Sequence, residues 1–295
     1  MRLASIDIGT NSTRLLLAVV KGEKVTTVKT DLVTTRLGQG INDGRLLPEA
    51  MERTTSAMAQ FLQQIRAFGA NGVIAAATSA VRDAANGQDF LKLAKEKTGL
   101  DVAVLSGGAE AAASYQGVLA GLPVSSDTTL VLDVGGGSTE LVWPEQQNLQ
   151  YTSSPVGAVR MTEGGHSDQE IESLLAGTLQ RIKQQPANSS LVAVGGTATT
   201  LAAMSLELEH YQPERVHGHF LSWQEIERLF LVLVAAGPEG RKKIKGLQPQ
   251  RADIILAGVR IVKILLQGLN LQGMTVSETD ILHGLVLKLA RSMSE

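Results

Sequence analysis

Asp133-Val134-Gly135-Gly136-Gly137-Ser138-Thr139-Glu140 joins an apolar run ending in a carboxylate to a second apolar run through a glycine loop. The same order of residue types stands at Asp7-Ile8-Gly9-Thr10-Asn11-Ser12-Thr13-Arg14, with Asp, Gly, Ser and Thr in matching places. Glycines at 135, 136 and 137 let successive backbone N–H groups converge and let an anion approach the main chain, so the loop suits phosphate. A carboxylate beside that anion is tolerable only with a divalent cation or an ordered water between them. Acid plus glycine nest therefore implies a metal and a phosphate. A third cluster, Gly195-Gly196-Thr197, follows the apolar run Leu191 to Val194 and opens a predicted helix, whose N-terminus would offer free N–H groups to an anion.

Two further positions could carry chemistry. Thr78-Ser79-Ala80-Val81-Arg82-Asp83 places two hydroxyls and an arginine at the end of a predicted strand, where ligands sit in open α/β sheets. Arg82 could clamp a phosphate bidentately or pair with Asp83 or another acid on the surface. Glu110 follows Ser106-Gly107-Gly108-Ala109 at a strand-to-helix turn and is the only acid between Asp101 and Asp127. That place lets it face a cleft, and it also fits the ordinary role of a first-turn carboxylate complementing the helix dipole.

The elements that must hold these residues follow from periodicity. Strands are expected at 2–8, 13–20 and 24–37, then a helix from Pro48 until Gly69 stops it, then a strand at 72–77. A helix at 87–98, a strand at 101–105 and an alanine-rich helix through Leu122 complete a half that reads as ribonuclease-H-like α/β. The second half repeats the hairpin and adds a strand near 149–154. Capping boxes at Ser167 to Glu170 and Ser222 to Glu225 open helices, the first running to about 184, and Pro249 opens a helix through Leu266 with Arg251, Arg260 and Lys263 on its solvated side. The basic run Arg241 to Lys245 reads as an exposed helix, and His283 as a packing residue. Domains are expected at 1–122 and 123–295, with a last helix near 280–295 free to pack back on the first.

The 295 residues are enough for two domains sharing a cleft, with the paired hairpins facing one another across it. Charge is near balance at −2, so net charge gives no reason to expect nucleic acid or anionic membrane as a partner. The absence of cysteine removes disulfides, thiol catalysis and thiolate metal sites, and fits a reducing compartment. The start enters a strand at once and reads as no secretory signal, and no apolar run approaches the ~20 residues a membrane span needs, so a cytoplasmic protein is expected.

The motifs 7–12, 78–83, 133–140, Val156-Gly157-Ala158-Val159-Arg160, 195–199 and 277–284, in that order, resemble the exopolyphosphatase and guanosine pentaphosphate phosphohydrolase family across the whole chain. The resemblance implies two ribonuclease-H-like domains of the actin, hexokinase and Hsp70-like superfamily facing across a central cleft. It implies magnesium-dependent removal of a terminal phosphate from polyphosphate, or from pppGpp to give ppGpp, and a homodimer. By position, Glu110 matches the glutamate that activates water, Asp133 and Glu140 match acids around the metal and the water, and Asp7 matches the acid of the other hairpin. Gly9, Thr10, Asn11, Ser12, Thr78, Ser79, Arg82, Gly135, Gly136, Gly137, Ser138, Gly195, Gly196 and Thr197 match phosphate-binding loops.

Two departures stand out. Ala109 and Ala112 replace an acid and an arginine that usually flank the position of Glu110, and Ala77 replaces a usual glycine. The first loss keeps a second reading open, a non-catalytic sensor of polyphosphate or guanosine alarmones. A kinase of the same superfamily is a third, more distant one, since small sugar kinases of this length carry a cysteine-rich zinc motif that is absent here.

Overall fold

The computed structural model describes residues 1–145, 148–182 and 189–294. The chain divides into two units, Met1–Gly121 together with Thr279–Glu295, and Leu122–Glu278. Among the described residues no helix is long and apolar enough to cross a membrane.

In the first unit β1 (Arg2–Ile8), β2 (Thr13–Lys21) and β3 (Lys24–Val33) form an antiparallel meander. It leads to α1 (Pro48–Phe68), with Pro48 in the first turn and Gly69 closing it at φ 67°. Next come β4 (Gly72–Ala77), α2 (Ser79–Asp83), α3 (Gly87–Thr98), β5 (Val102–Val104) and α4 (Gly107–Gly121). The sheet order is β3-β2-β1-β4-β5, with β4 parallel to β1. β1 is central and buried on both faces, which is why its sequence is nearly continuous in apolar residues. Ala4, Ile6 and Ile8 pack with Met58, Phe61 and Ile65 of α1, while Leu3 belongs to a second cluster on the opposite face. The strand expected over 24–37 stops at Val33. Beyond it Arg36 takes a left-handed φ of 48°, and the Arg36 N–H turns to donate to Asn11 O at 2.8 Å.

The second unit repeats the pattern with β6 (Thr129–Val134), β7 (Thr139–Glu145) and β8 (Asn148–Ser154). It continues through α5 (Ala158–Glu163), α6 (Asp168–Ile182), β9 (Ser190–Val194), α7 (Gly195–Ser205), α8 (Pro213–Val216) and β10 (Phe220–Ser222). α9 (Trp223–Arg241), broken at Gly237 just before Pro238, α10 (Ile255–Gly268) and β11 (Gly273–Val276) complete it. Within the sheet order β10-β11-β9-β6-β7-β8, the run β8-β7-β6-β9-β11 repeats β3-β2-β1-β4-β5 strand for strand. β10 is an added antiparallel edge.

The capping box at Ser167 forms in full, and at Ser222 the N-cap half forms while the Glu225 carboxylate pairs with Arg228. Ser167 N–H donates to Glu170 at 2.7 Å while Glu170 N–H returns to Ser167 Oγ at 3.3 Å, and Glu225 N–H donates to Ser222 Oγ at 3.2 Å. The expected helix end near 184 lies outside the described residues.

Two expectations about basic residues are corrected. Pro249 opens a 3₁₀ turn over Pro249–Arg251, and the α-helix starts only at Ile255. Bonds from Ala252 N to Pro249 O and from Ile254 N to Arg251 O tighten this entry, and Arg251 is carried off the solvated face. Lys263 likewise pairs with Glu227 at 2.6 Å and lies 3.8 Å over the Phe230 ring. In the basic run, Arg241 is buried and donates to Leu233 O at 2.8 Å, whereas Lys242 and Lys245 pair with Glu239 and Glu209.

The last helix, α11 (Ile281–Ser292), belongs to the first unit, where Leu282, Val286, Leu287 and Ala290 pack on Leu3, Leu16, Ala18 and Val20. His283 is buried there, 3.0 Å from Thr27 Oγ1. α11 meets α4 backbone to backbone. A Cβ on Gly284 would lie 1.9 Å from Ala113 O, and one on Gly117 would lie 1.9 Å from Asp280 O. Close approach of this kind needs small residues, which accounts for the alanine-rich sequence of α4. Gly284→Ala is therefore expected to cost about 2–3 kcal/mol, the upper end of overpacking because backbone must move. Urea unfolding would read it, and a loss under about 0.5 kcal/mol would rule out so tight a crossing.

Candidate functional site

The two hairpins are built alike to the level of single hydrogen bonds. Gly9 N–H donates to Ser12 O and Gly135 N–H to Ser138 O, each at 3.0 Å. Neither Gly9 nor Gly135 adopts a left-handed φ. These two N–H groups close the turns. The neighbouring strand brings a further segment to each loop. β4 lies parallel to β1 and β9 parallel to β6, so α2 and α7 begin beside the two turns.

In the first unit this placement gathers Thr10, Asn11, Ser12, Thr78 and Ser79, all buried. Thr10 Oγ1 and Ser79 Oγ share a hydrogen bond of 3.0 Å, and Thr78 N–H donates to Ile8 O at 3.2 Å. The segment after Arg36 braces the loop from below: Gly38 N–H donates to Thr10 O, and a Cβ at Gly38 would strike Thr10 Cγ2 at 2.2 Å. Arg82, on α2, donates through Nη1 to Leu105 O at 3.1 Å and to Glu110 Oε2 at 2.8 Å, with Asp83 farther off at 3.5 Å. Glu110 stands in the first turn of α4 and is 7% exposed. Arg82 and Glu110 are thus one hydrogen-bonded pair.

Asp7 faces Arg14 across the hairpin register, and Arg14 Nε and Nη2 donate to Asp7 Oδ2 at 2.9 and 2.7 Å. Burial pushes the Asp7 carboxyl above the usual carboxylate range, against the pull of that guanidinium.

In the second unit the register is the same and the charge is not. Asp133 faces Glu140, two acids on one face of the hairpin. Glu140 is 1% exposed and accepts from Ser153 Oγ at 2.7 Å. Gly195 turns with φ 80° directly against Asp133, whose Oδ1 would lie 2.4 Å from a Cβ there, so a side chain at 195 is barred twice. Thr197 Oγ1 donates to Val134 O at 3.1 Å, tying α7 to the Gly135–Gly137 loop. Arg160 Nε donates to Gly137 O at 2.9 Å. Ser138 is buried beside it.

Arg251, assigned by periodicity to a solvated face, lies on the N-terminus of α7, its guanidinium 2.0–2.3 Å from where a Cβ of Gly196 would be. The signal that could have found it was the proline three residues after Gly246, which marks a tight non-helical entry instead of a helix already under way.

The profile of the Ppx/GppA phosphatase family matches residues 15–293, nearly the whole chain. The chain belongs to the Ppx/GppA phosphatase family. It is similar to exopolyphosphatase 2 of Mycobacterium tuberculosis, 33% identical over 98% of this chain and 98% of that one. It is also 33% identical, over 97% of its length, to the bifunctional 3-dehydroquinate synthase/phosphatase of Fusobacterium nucleatum, of which it spans 46%. The crystal structure of the Aquifex aeolicus Ppx/GppA family member superposes with a TM-score of 0.82 at 30% identity, covering 100% of this chain and 99% of that one.

As a Ppx/GppA phosphatase the chain is a phosphohydrolase with a two-domain α/β fold of the actin and hexokinase superfamily. Among the described residues no group of three or more His, Cys, Asp or Glu side chains could hold a metal. Magnesium does not require one, since it is commonly held by one or two carboxylates together with waters and substrate phosphates. Asp133 and Glu140 are hard oxygen donors opposed across the hairpin, and Asp7 Oδ1 is buried with no hydrogen-bond partner among the described residues. These donors fit a hard divalent cation carried in with a polyanion, and Asp133 with Glu140 fit it better than Asp7, whose other oxygen Arg14 already holds.

Proposed function

We propose that the chain is an exopolyphosphatase that removes the terminal phosphate of inorganic polyphosphate with magnesium, pppGpp being a second substrate with the same terminal phosphoanhydride. The observation that carries this reading is the Arg82–Glu110 pair, a buried carboxylate in the first turn of α4 hydrogen-bonded to a guanidinium, on a chain of the Ppx/GppA phosphatase family. Glu110 would orient a water and take its proton as the water oxygen attacks the terminal phosphorus. The bond to the bridging oxygen breaks, and orthophosphate leaves. Phosphoryl transfer asks little else of a protein than positioning and charge neutralisation.

Arg82 would hold Glu110 in place and offer a guanidinium to the terminal phosphate. Thr10, Asn11, Ser12, Thr78 and Ser79 in one unit, and Gly135, Gly136, Gly137, Ser138, Gly195, Gly196 and Thr197 in the other, would bind phosphate oxygens, with Arg251 added at the α7 N-terminus. Asp133 and Glu140 would hold magnesium in the second unit and Asp7 is the matching acid of the first, and the ion when bound would neutralise charge on the phosphates.

Phosphate release from long polyphosphate, tripolyphosphate and pppGpp, with magnesium and with EDTA, tests the reading. Release from polyphosphate that EDTA abolishes is expected. Tight binding without release would favour a sensor instead, and ADP formation that depends on an acceptor sugar would favour a kinase.

Gly196→Ala gives a more local check. The added methyl displaces the Arg251 guanidinium, the mobile end of a side chain, so stability should hold while KM for tripolyphosphate rises about tenfold, the loss of one charge-assisted contact. An unchanged KM would remove Arg251 from substrate binding.

A further inference from the structure

Asp280 caps α11, with Oδ1 accepting from Leu282 N–H at 3.1 Å. A cap alone does not call for this residue, because Ser or Asn would serve Leu282 equally well. The second carboxylate oxygen has a different task, since Arg14 Nη1 donates to Asp280 Oδ2. Arg14 Nε and Nη2 donate to Asp7, so Asp280, Arg14 and Asp7 form one row in which both acids are at most 5% exposed.

The cross-strand register sets only the Cβ of Arg14 opposite Asp7. A long flexible side chain loses about 2 kcal/mol of rotamer freedom when fixed, and a second anchor keeps it fixed. The row ends on Asp7, two residues before the turn at Gly9. Its other end is clamped to α4, where Asp280 O lies against Gly117 in the helix that starts by presenting Glu110.

We propose that Asp280 is a positioning residue for phosphate hydrolysis, holding Arg14 so that the second oxygen of Asp7 stays presented at the first loop. The inference rests on the reading of that loop as a phosphate site.

Asp280→Ser keeps a cap for Leu282 and removes the partner of Arg14, and Ser5→Ala removes a different tether of the same helix, the 2.8 Å bond from Ser5 Oγ to Leu282 O. Both variants should lose a similar few degrees of Tm. Only Asp280→Ser should lower kcat/KM for tripolyphosphate, by about 10- to 100-fold, and in an Arg14→Ala background the same change should cost less than about threefold, because coupled residues are not additive. A kcat/KM within about twofold of the unaltered protein, or an equal cost in both backgrounds, overturns the proposal. Should Asp280→Ser fail to fold, Asp280→Asn, which preserves size and cap, is held to the same criteria.

If the unaltered protein releases no phosphate, the hydrolase reading fails by itself. Positioning is then read from the rise in Tm with tripolyphosphate, which Asp280→Ser should shrink and Ser5→Ala should not. No rise in the unaltered protein would sink both.

Discussion

Glu110→Gln is expected to lower kcat for phosphate release by about 10²- to 10⁴-fold, the usual size of a general-base contribution. The substitution is close to isosteric and leaves no cavity, and the amide oxygen can still accept from Arg82. Arg82 is 23% exposed at its side chain, and water can take over what the lost charge supplied. The fold should therefore survive with Tm lowered by no more than a few degrees, and KM should change less than kcat. That split separates a proton acceptor from a residue that merely holds α4 in place, which would move Tm and activity together. Turnover within about threefold of the unaltered protein would take Glu110 out of the chemistry. The outcome also bears on Ala109 and Ala112. With alanine on both sides in sequence, Glu110 takes ionic support from Arg82, 28 residues earlier, through the 2.8 Å contact.

How much of this was legible in the sequence depends on how local the interaction is. The twin hairpins were legible because two apolar runs around a glycine turn fix strand, turn and strand within a dozen residues, and the α/β class followed from the helices and strands after them. The same reasoning misplaced Arg251, because periodicity extended a helix through a segment whose i→i+3 bonds turn it aside. It also carried a strand through 34–37, where a left-handed Arg36 follows the end of the pairing and braces the loop at Asn11.

Asp280 escaped notice for another reason. Its partner is Arg14, near the opposite end of the chain, and no local pattern reports such a pairing. Register was the unused clue. With a four-residue turn in both copies, position 7 must face 14 and position 133 must face 140, so one hairpin pairs an acid with a base and the other opposes two acids.

That difference in charge carries the second large effect. Asp133→Asn is expected to lower kcat/KM for polyphosphate by about 10²-fold or more, the scale of losing one group that stabilises developing charge. It should leave the protein no less stable without magnesium, and more stable by up to about 1 kcal/mol, since like charges directly opposed on a hairpin are destabilising. The sign of the stability change is the diagnostic part. An acid kept for structure would lower Tm when neutralised, whereas an acid kept for a cation would raise it or leave it alone while abolishing the rise in Tm that magnesium with tripolyphosphate produces. The companion change Arg14→Ala runs the other way. It strips a buried pair of carboxylates of their guanidinium and should cost about 3–5 kcal/mol, because a buried charge is left without compensation. Thermal unfolding of the two variants side by side, with and without magnesium and tripolyphosphate, would decide the matter. Equal destabilisation by both would mean that the hairpins are alike in charge logic as well as in shape, and that Asp133 is no metal ligand.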